Sequence, residues 1–304
     1  MSKTSIIRAL EDRLAAGHRR VLSDWRALLL LRQASLALPP EERRWEKVPS
    51  SLTDARVLLA RLVAQGALSP LSDLSFIYTV QSPYARTEPI EEYEILMELH
   101  PYAVLSHHSA FAFHQLTDEL PSGYFLTISG DGAGQLLPIG TTPADWDGLT
   151  LVPGRRPETL HGRSITWHRE APKRFFGFEE YQPRGYPVRV TTPERTLLDG
   201  LRHPDWCGGL SQVLHAWRRS ADTLNLDRVI ADTEQLDIAV LRQRVGFVLD
   251  ELGLRHPGMT PWPSKAQRGG SSKLHGGLPF ASTYSERWSL SINAPTTALH
   301  EDSL

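Results

Sequence analysis

The stretch from Ser51 to Gly66 constrains the fold most, because it carries its own start, its own stop and two chemically distinct faces. Ser51 followed three residues later by Asp54 is a helix N-terminal signature: the hydroxyl accepts an orphan backbone N–H, and the carboxylate favours the positive helix end. At about 100° per residue, Leu52, Ala55, Leu59, Leu62 and Val63 share one face, and Gly66 supplies a left-handed stop after Gln65. The opposite face offers Thr53, Val57, Ala60, Arg61 and Ala64, with Arg56 at its border.

What flanks this helix gives it a role. Upstream, Ile6, Ile7, Leu10 and Leu14 fall at helical spacing, and Leu22, Trp25, Leu28 and Leu29 repeat the pattern beyond Gly17. Pro39-Pro40 and the charged run Glu41 to Arg44 form a connection. Downstream, Ala67-Leu68 and Phe76 to Val80 are strand-like, joined by a polar turn around Ser72 and Asp73. Three helices followed by a hairpin is the order of a winged helix-turn-helix, whose third helix enters the DNA major groove. Residues 1–82 are therefore expected to be a DNA-binding domain. Within it Arg56 and Arg61 are expected to hold the phosphate backbone and Thr53 to reach base edges. Charge agrees: residues 1–70 hold 12 Lys and Arg against 7 Asp and Glu, while the remainder holds 21 against 28. The competing readings are a small helical-plus-hairpin cap with no DNA role and a protein-interaction module that has lost DNA binding.

Pro83, Pro89 and intervening polar residues mark a linker, and residues 90–304 are expected to form a second domain of α+β type with mixed helices and strands. Glutamates 88, 91, 92, 94 and 98 read as a solvated helix face. Beyond them the pattern predicts a helix over 109–116. Strands are expected near 124–128, 149–152, 164–168 and 187–190. Thr191 with Glu194 reads as a capping box, with Pro193 in the first helical turn. Helices are expected over 210–219 and 236–252, and a strand over 288–293.

No residue pattern asks for a metal or a cofactor. Cys207, the single cysteine, supplies neither a disulfide nor a multi-cysteine zinc site. Among histidines 100, 107, 108 and 114, His107 and His114 can share a helix face, yet seven residues of helix separate their rings by about 10 Å. The Gly130 to Gly134 cluster lacks the helix and the Gly-Lys-Ser/Thr ending of a phosphate loop and reads as a hairpin tip. Ser106 and Ser109 lie beside histidines without a nucleophile-elbow pattern, which leaves a phosphotransfer or hydrolytic enzyme as a remote third reading. The N-terminus has charges where a signal peptide needs an apolar run, and no apolar stretch approaches the roughly 20 residues of a membrane span. The expected location is the cytoplasm, with no membrane partner.

The block Leu105-Ser106-His107-His108-Ser109-Ala110-Phe111-Ala112-Phe113-His114-Gln115-Leu116-Thr117 resembles the Leu-Ser-His-x-Ser-Ala-Leu-x-x-His-Gly-Leu-Thr signature of AbiEi-like antitoxins of type IV toxin-antitoxin systems. Trp167-His168-Arg169 and the stretch Val188 to Leu201 resemble the family's strand-to-helix segment, with Gly208-Gly209 after it. Residues 244–253 and 286–293 are similar to its closing helix and strand. The resemblance implies a non-enzymatic regulator. Its winged-helix module would repress its own operon by binding operator DNA, and its C-terminal domain would counteract a nucleotidyltransferase-like toxin. Family wings commonly carry basic residues at the turn, where this chain has Leu71-Ser72-Asp73-Leu74.

Overall fold

The computed structural model describes residues 3–17, 19–81, 89–132, 136–266 and 272–300. In chain order its first elements are α1 (Ile6–Ala16), β1 (Val21–Ser23), α2 (Asp24–Ala37), α3 (Leu52–Ala64), β2 (Leu68–Leu71), β3 (Leu74–Val80) and α4 (Glu92–Leu99). There follow β4 (Val104–Leu105), α5 (His107–Phe113), β5 (Tyr124–Ser129), β6 (Thr159–Leu160), β7 (Arg163–Glu170), β8 (Phe178–Tyr181) and β9 (Val188–Thr191). The last are α6 (Pro193–Arg202), α7 (Leu210–Ser220), α8 (Leu226–Leu236), α9 (Ala239–Glu251), α10 (Trp262–Lys265), β10 (Tyr284–Ser285) and β11 (Leu290–Ser291). The fold is mixed α/β, and no helix of the described residues is long and apolar enough to cross a membrane.

The chain divides into two compact units: one comprises residues 1–103, 135–161 and 181–188, the other residues 104–134, 162–180 and 189–304. This differs from the expected partition into 1–82 and 90–304. Residues 82–88 of the linker expected near Gln81 to Pro89 lie outside the described residues, and α4 beyond it belongs to the first unit for an electrostatic reason. Glu94 and Glu98, expected on a solvated face, are buried at 6% and 4% exposure. Arg20 donates to Glu94 at 3.0 Å and Arg26 to Glu98 at 3.0 Å, while the Ser23 hydroxyl donates to Glu98. Carboxylates four apart on a helix look solvated until the arginines that neutralise them, some seventy residues earlier, are brought alongside.

In the first unit, Ser5, Ser23 and Ser51 each cap a helix, their hydroxyls accepting from the backbone N–H of Arg8, Arg26 and Asp54. At α3 the box is reciprocal, the Asp54 carboxylate accepting from Ser51 N–H at 3.2 Å. Ala55, Leu59 and Leu62 are buried with Leu10, Leu14, Leu22, Leu28 and Leu31, so three helices share one apolar seam. Val21 to Ser23, read from the sequence as the edge of the second helix, is instead a strand that pairs antiparallel with β3. β2 pairs with the other edge of β3, which gives the order β1-β3-β2. A second apolar cluster joins Trp25 and Leu29 to Trp146 and Val152. That packing accounts for Leu149 to Val152, an expected strand that has no strand structure.

The second unit is built on a sheet ordered β7-β5-β4-β9-β8, with β5 parallel to β7 and β4 antiparallel to β5 but parallel to β9. Thr192, one residue later than expected, caps α6 by accepting from Arg195 N–H at 3.3 Å, because Thr191 is still in strand β9. α6 is buried along nearly its whole length and packs through Leu197, Leu198 and Leu201 into a core with Phe111, Val213, Trp217, Val245 and Trp288. The expected helix over 236–252 is α9, which starts only at Ala239 because Asp237 turns left-handed at φ 50° and Leu236 closes the separate helix α8. The expected strand over 288–293 is only Leu290–Ser291. In α9, Gly246 allows a close approach, since a Cβ there would lie 2.2 Å from Cζ3 of Trp288.

Candidate nucleic-acid interface

The buried side of α3 is fixed by the apolar seam, so its outer side follows: Thr53, Arg56, Val57, Ala60, Arg61 and Ala64 are all exposed. Thr53 and Arg61 are separated by about 12 Å along the axis and by roughly 80° around it. They thus share a broad face. Arg61 makes no ion pair among the described residues.

Arg56 is held more firmly than expected of a residue reserved for phosphate. Its Nε and Nη2 donate to Asp24 Oδ2 at 3.0 and 2.7 Å. The same carboxylate, at the start of α2, accepts from Arg155 Nη2 at 2.8 Å. Arg155 in turn lies over the Phe76 ring, 3.7 Å from its centroid. Two guanidinium groups against one carboxylate leave a surplus positive charge where α2 meets α3. With 51% of its side-chain surface open, Arg56 keeps donors for a second partner. The hairpin between β2 and β3 turns on Ser72 and Asp73 alone, so it carries no basic tip.

The histidine block is a packed core feature of the second unit. His107 opens α5 with a left-handed φ of 49° and is 2% exposed. Its Nδ1 meets Ser106 Oγ at 2.9 Å, and Thr127 donates to the same Ser106 oxygen at 2.8 Å. Around it lie His168, His203 and Trp206, with ring centroids 5.6, 5.8 and 5.1 Å away. Burial pulls the His107 pKa down to about 3, so the ring is neutral. His114, at the end of the helix, bonds the Thr191 carbonyl at 2.6 Å. Among the described residues no group of three His, Cys, Asp or Glu is arranged to hold a metal. Below the histidines, Arg195 and Arg202 bind Asp199 and Glu170; against the upward push of burial, these cations hold Asp199, and His168 together with them holds Glu170, well below the ordinary range.

Sequence reasoning placed Thr53, Arg56 and Arg61 on the outer side of α3, where all three are exposed, and missed two ensembles. The pairing of Arg20 and Arg26 with Glu94 and Glu98 left a faint trace, two glutamates one helical turn apart. His203 joins His107 only through the fold, and nothing local announces it.

No family model matches this chain, and no curated protein matches it. Among solved structures, the crystal structure of RV2827C protein from Mycobacterium tuberculosis aligns with a TM-score of 0.53. The alignment covers 97% of this chain and 93% of that chain at 13% identity. At that identity the likeness is one of fold: both chains carry a similar arrangement of elements along nearly their whole length.

Proposed function

We propose that this chain is the antitoxin of a type IV toxin-antitoxin system, which represses its own operon through a winged helix-turn-helix and counteracts a nucleotidyltransferase-like toxin through its second unit. The observation that carries the DNA-binding half is the order of the first unit, helix, strand, helix, helix, strand, strand, with the sheet order β1-β3-β2 and a basic, outward-facing α3. That order suits insertion of the last helix into the major groove. The antitoxic half rests on the resemblance of the blocks at 105–117, 188–201, 244–253 and 286–293. In this reading Arg56 and Arg61 grip phosphates, Thr53 meets base edges, and no catalysis is required.

A gel-shift series of the full chain on its own upstream DNA tests the reading. Retardation is expected at low salt and should weaken steeply as salt rises, because neutralised phosphates release counterions. Arg61→Ala should weaken binding across all sequences and reduce the salt slope by about 1. Absence of retardation at low salt would sink the repressor assignment. Growth rescue in cells expressing the neighbouring toxin tests the other half.

A second reading, a protein-binding regulator without DNA contact, draws support from two features: Asp24 already engages Arg56, and Val57 is 53% exposed at the centre of the outer face. Binding that is insensitive to salt would favour it.

A further inference from the structure

The connection between α1 and β1 leaves one arginine without a hydrogen bond. The Arg19 side chain retains only 22% of its surface, and its nearest carboxylate, Glu98, stands 3.7 Å away. That is beyond hydrogen-bond range. Glu98 is already engaged by Arg26 and by the Ser23 hydroxyl. A guanidinium has five N–H donors and no acceptor, so those of Arg19 are open to whatever lies beside them.

Arg19 faces a cavity of about 250 Å³, lined also by Arg20, Glu94, Arg184 and Tyr186, all within the first unit. Arg20 is committed, donating to Glu94 at 3.0 Å and to the Pro89 carbonyl at 2.6 Å. Tyr186 is 7% exposed, yet among the described residues its hydroxyl has no hydrogen-bond partner. Burial, then the charges of Glu91 and Glu94, push its pKa up, so it keeps its proton and remains a donor. At the rim, Arg184 sits in the left-handed region at φ 52°, followed by Gly185 at φ 83°, a backbone shape that a non-glycine residue adopts only under constraint. Arg184 is paired with Glu91.

We propose that this cavity binds a small organic molecule bearing one carboxylate or phosphate group, whose oxygens accept from Arg19 and from the Tyr186 hydroxyl. The two unmet groups are both donors, so the complementary ligand group is an acceptor. With their partners counted, Arg19, Arg20, Arg26 and Arg184 stand against Glu91, Glu94 and Glu98, a surplus of one positive charge that favours an anion over a cation. Size sets the rest: a cavity of about 150 Å³ holds benzene, which scales to roughly ten non-hydrogen atoms here. Benzoate and phenyl phosphate are of that size and separate the two head groups.

Isothermal titration of the full-length protein with benzoate, phenyl phosphate and the uncharged benzyl alcohol tests the site. One of the two anions should bind at a single site and benzyl alcohol should not; whichever anion binds assigns the head group. Arg19→Ala should weaken binding at least tenfold, as loss of a charge-assisted hydrogen bond does. It should leave the melting temperature near that of the parent, since Arg19 makes no hydrogen bond to lose. Tyr186→Phe should weaken binding several-fold with the fold intact. The proposal is overturned if neither anion binds at low millimolar concentration, if benzyl alcohol binds as well as they do, or if Arg19→Ala binds like the parent. Because binding is read directly and without DNA, its failure leaves the repressor reading untouched, and the reverse holds too.

Discussion

Replacing His107 with Asn should flatten the acid dependence of folding stability by an amount that can be worked out in advance. The His107 imidazole has its pKa lowered from 6.5 to about 3, first by burial and only secondarily offset by Asp199. In the unfolded chain it titrates near the ordinary value. Between those two values the unfolded state binds more protons than the native state, so stability is fully present above about pH 6.5 and declines as pH falls toward the folded pKa. From pH 7.5 to pH 4.5 the linkage relation gives a loss of roughly 2 to 3 kcal/mol from this one ring. Asn tolerates the left-handed backbone of this position and cannot titrate. His203 and His100, each lowered to about 4 by burial, are present in both proteins and cancel in the comparison. Asp199 and Glu170 stay ionised throughout this window. Urea unfolding followed by tryptophan fluorescence at several pH values supplies the two curves. The variant should be the less stable at pH 7.5 and lose less on acidification. Parallel curves would refute the reasoning, because they would mean that the ring is equally protonated in both states.

Two further substitutions test the packing. Arg26→Ala removes the guanidinium 3.0 Å from buried Glu98 and strands that carboxylate, which should cost about 3 to 5 kcal/mol in urea unfolding; a loss below about 1 kcal/mol would show that Glu98 is already neutral or solvated. Gly246→Ala places a methyl group 2.2 Å from the Trp288 ring and should cost about 1 to 3 kcal/mol. Pairing it with Trp288→Leu should recover part of that loss relative to Trp288→Leu alone, and strict additivity would mean the two sites do not touch.

The local elements were legible wherever short-range chemistry decided them. Ser51 and Asp54 announce α3, the spacing of Ala55, Leu59 and Leu62 announces its buried side, and Arg61 and Thr53 fall outward as a result. β1 was hidden because Val21-Leu22 suits a helix edge as well as a strand, and only the distant β3 decides between them. Asp237 was hidden for the opposite reason: apolar residues continue at helical spacing through it while the backbone turns left-handed. The fate of Arg56 could not be read either. Its partner Asp24 lies on another helix and is shared with Arg155, so local sequence cannot say how much of its charge is offered outward.

The first unit takes its last strips of chain, residues 135–161 and 181–188, from the far side of segments that belong to the second. Trp25 is therefore made long before Trp146, which covers it, and Asp24 long before Arg155. At about 5 to 20 residues per second that interval on the ribosome is on the order of ten seconds. For that time the nascent first unit exposes an indole and holds a carboxylate with one of its two arginines missing. Synthesis thus begins the first unit first but finishes it only after the second has started, and a messenger truncated between them would yield a half-clothed surface rather than a smaller working part.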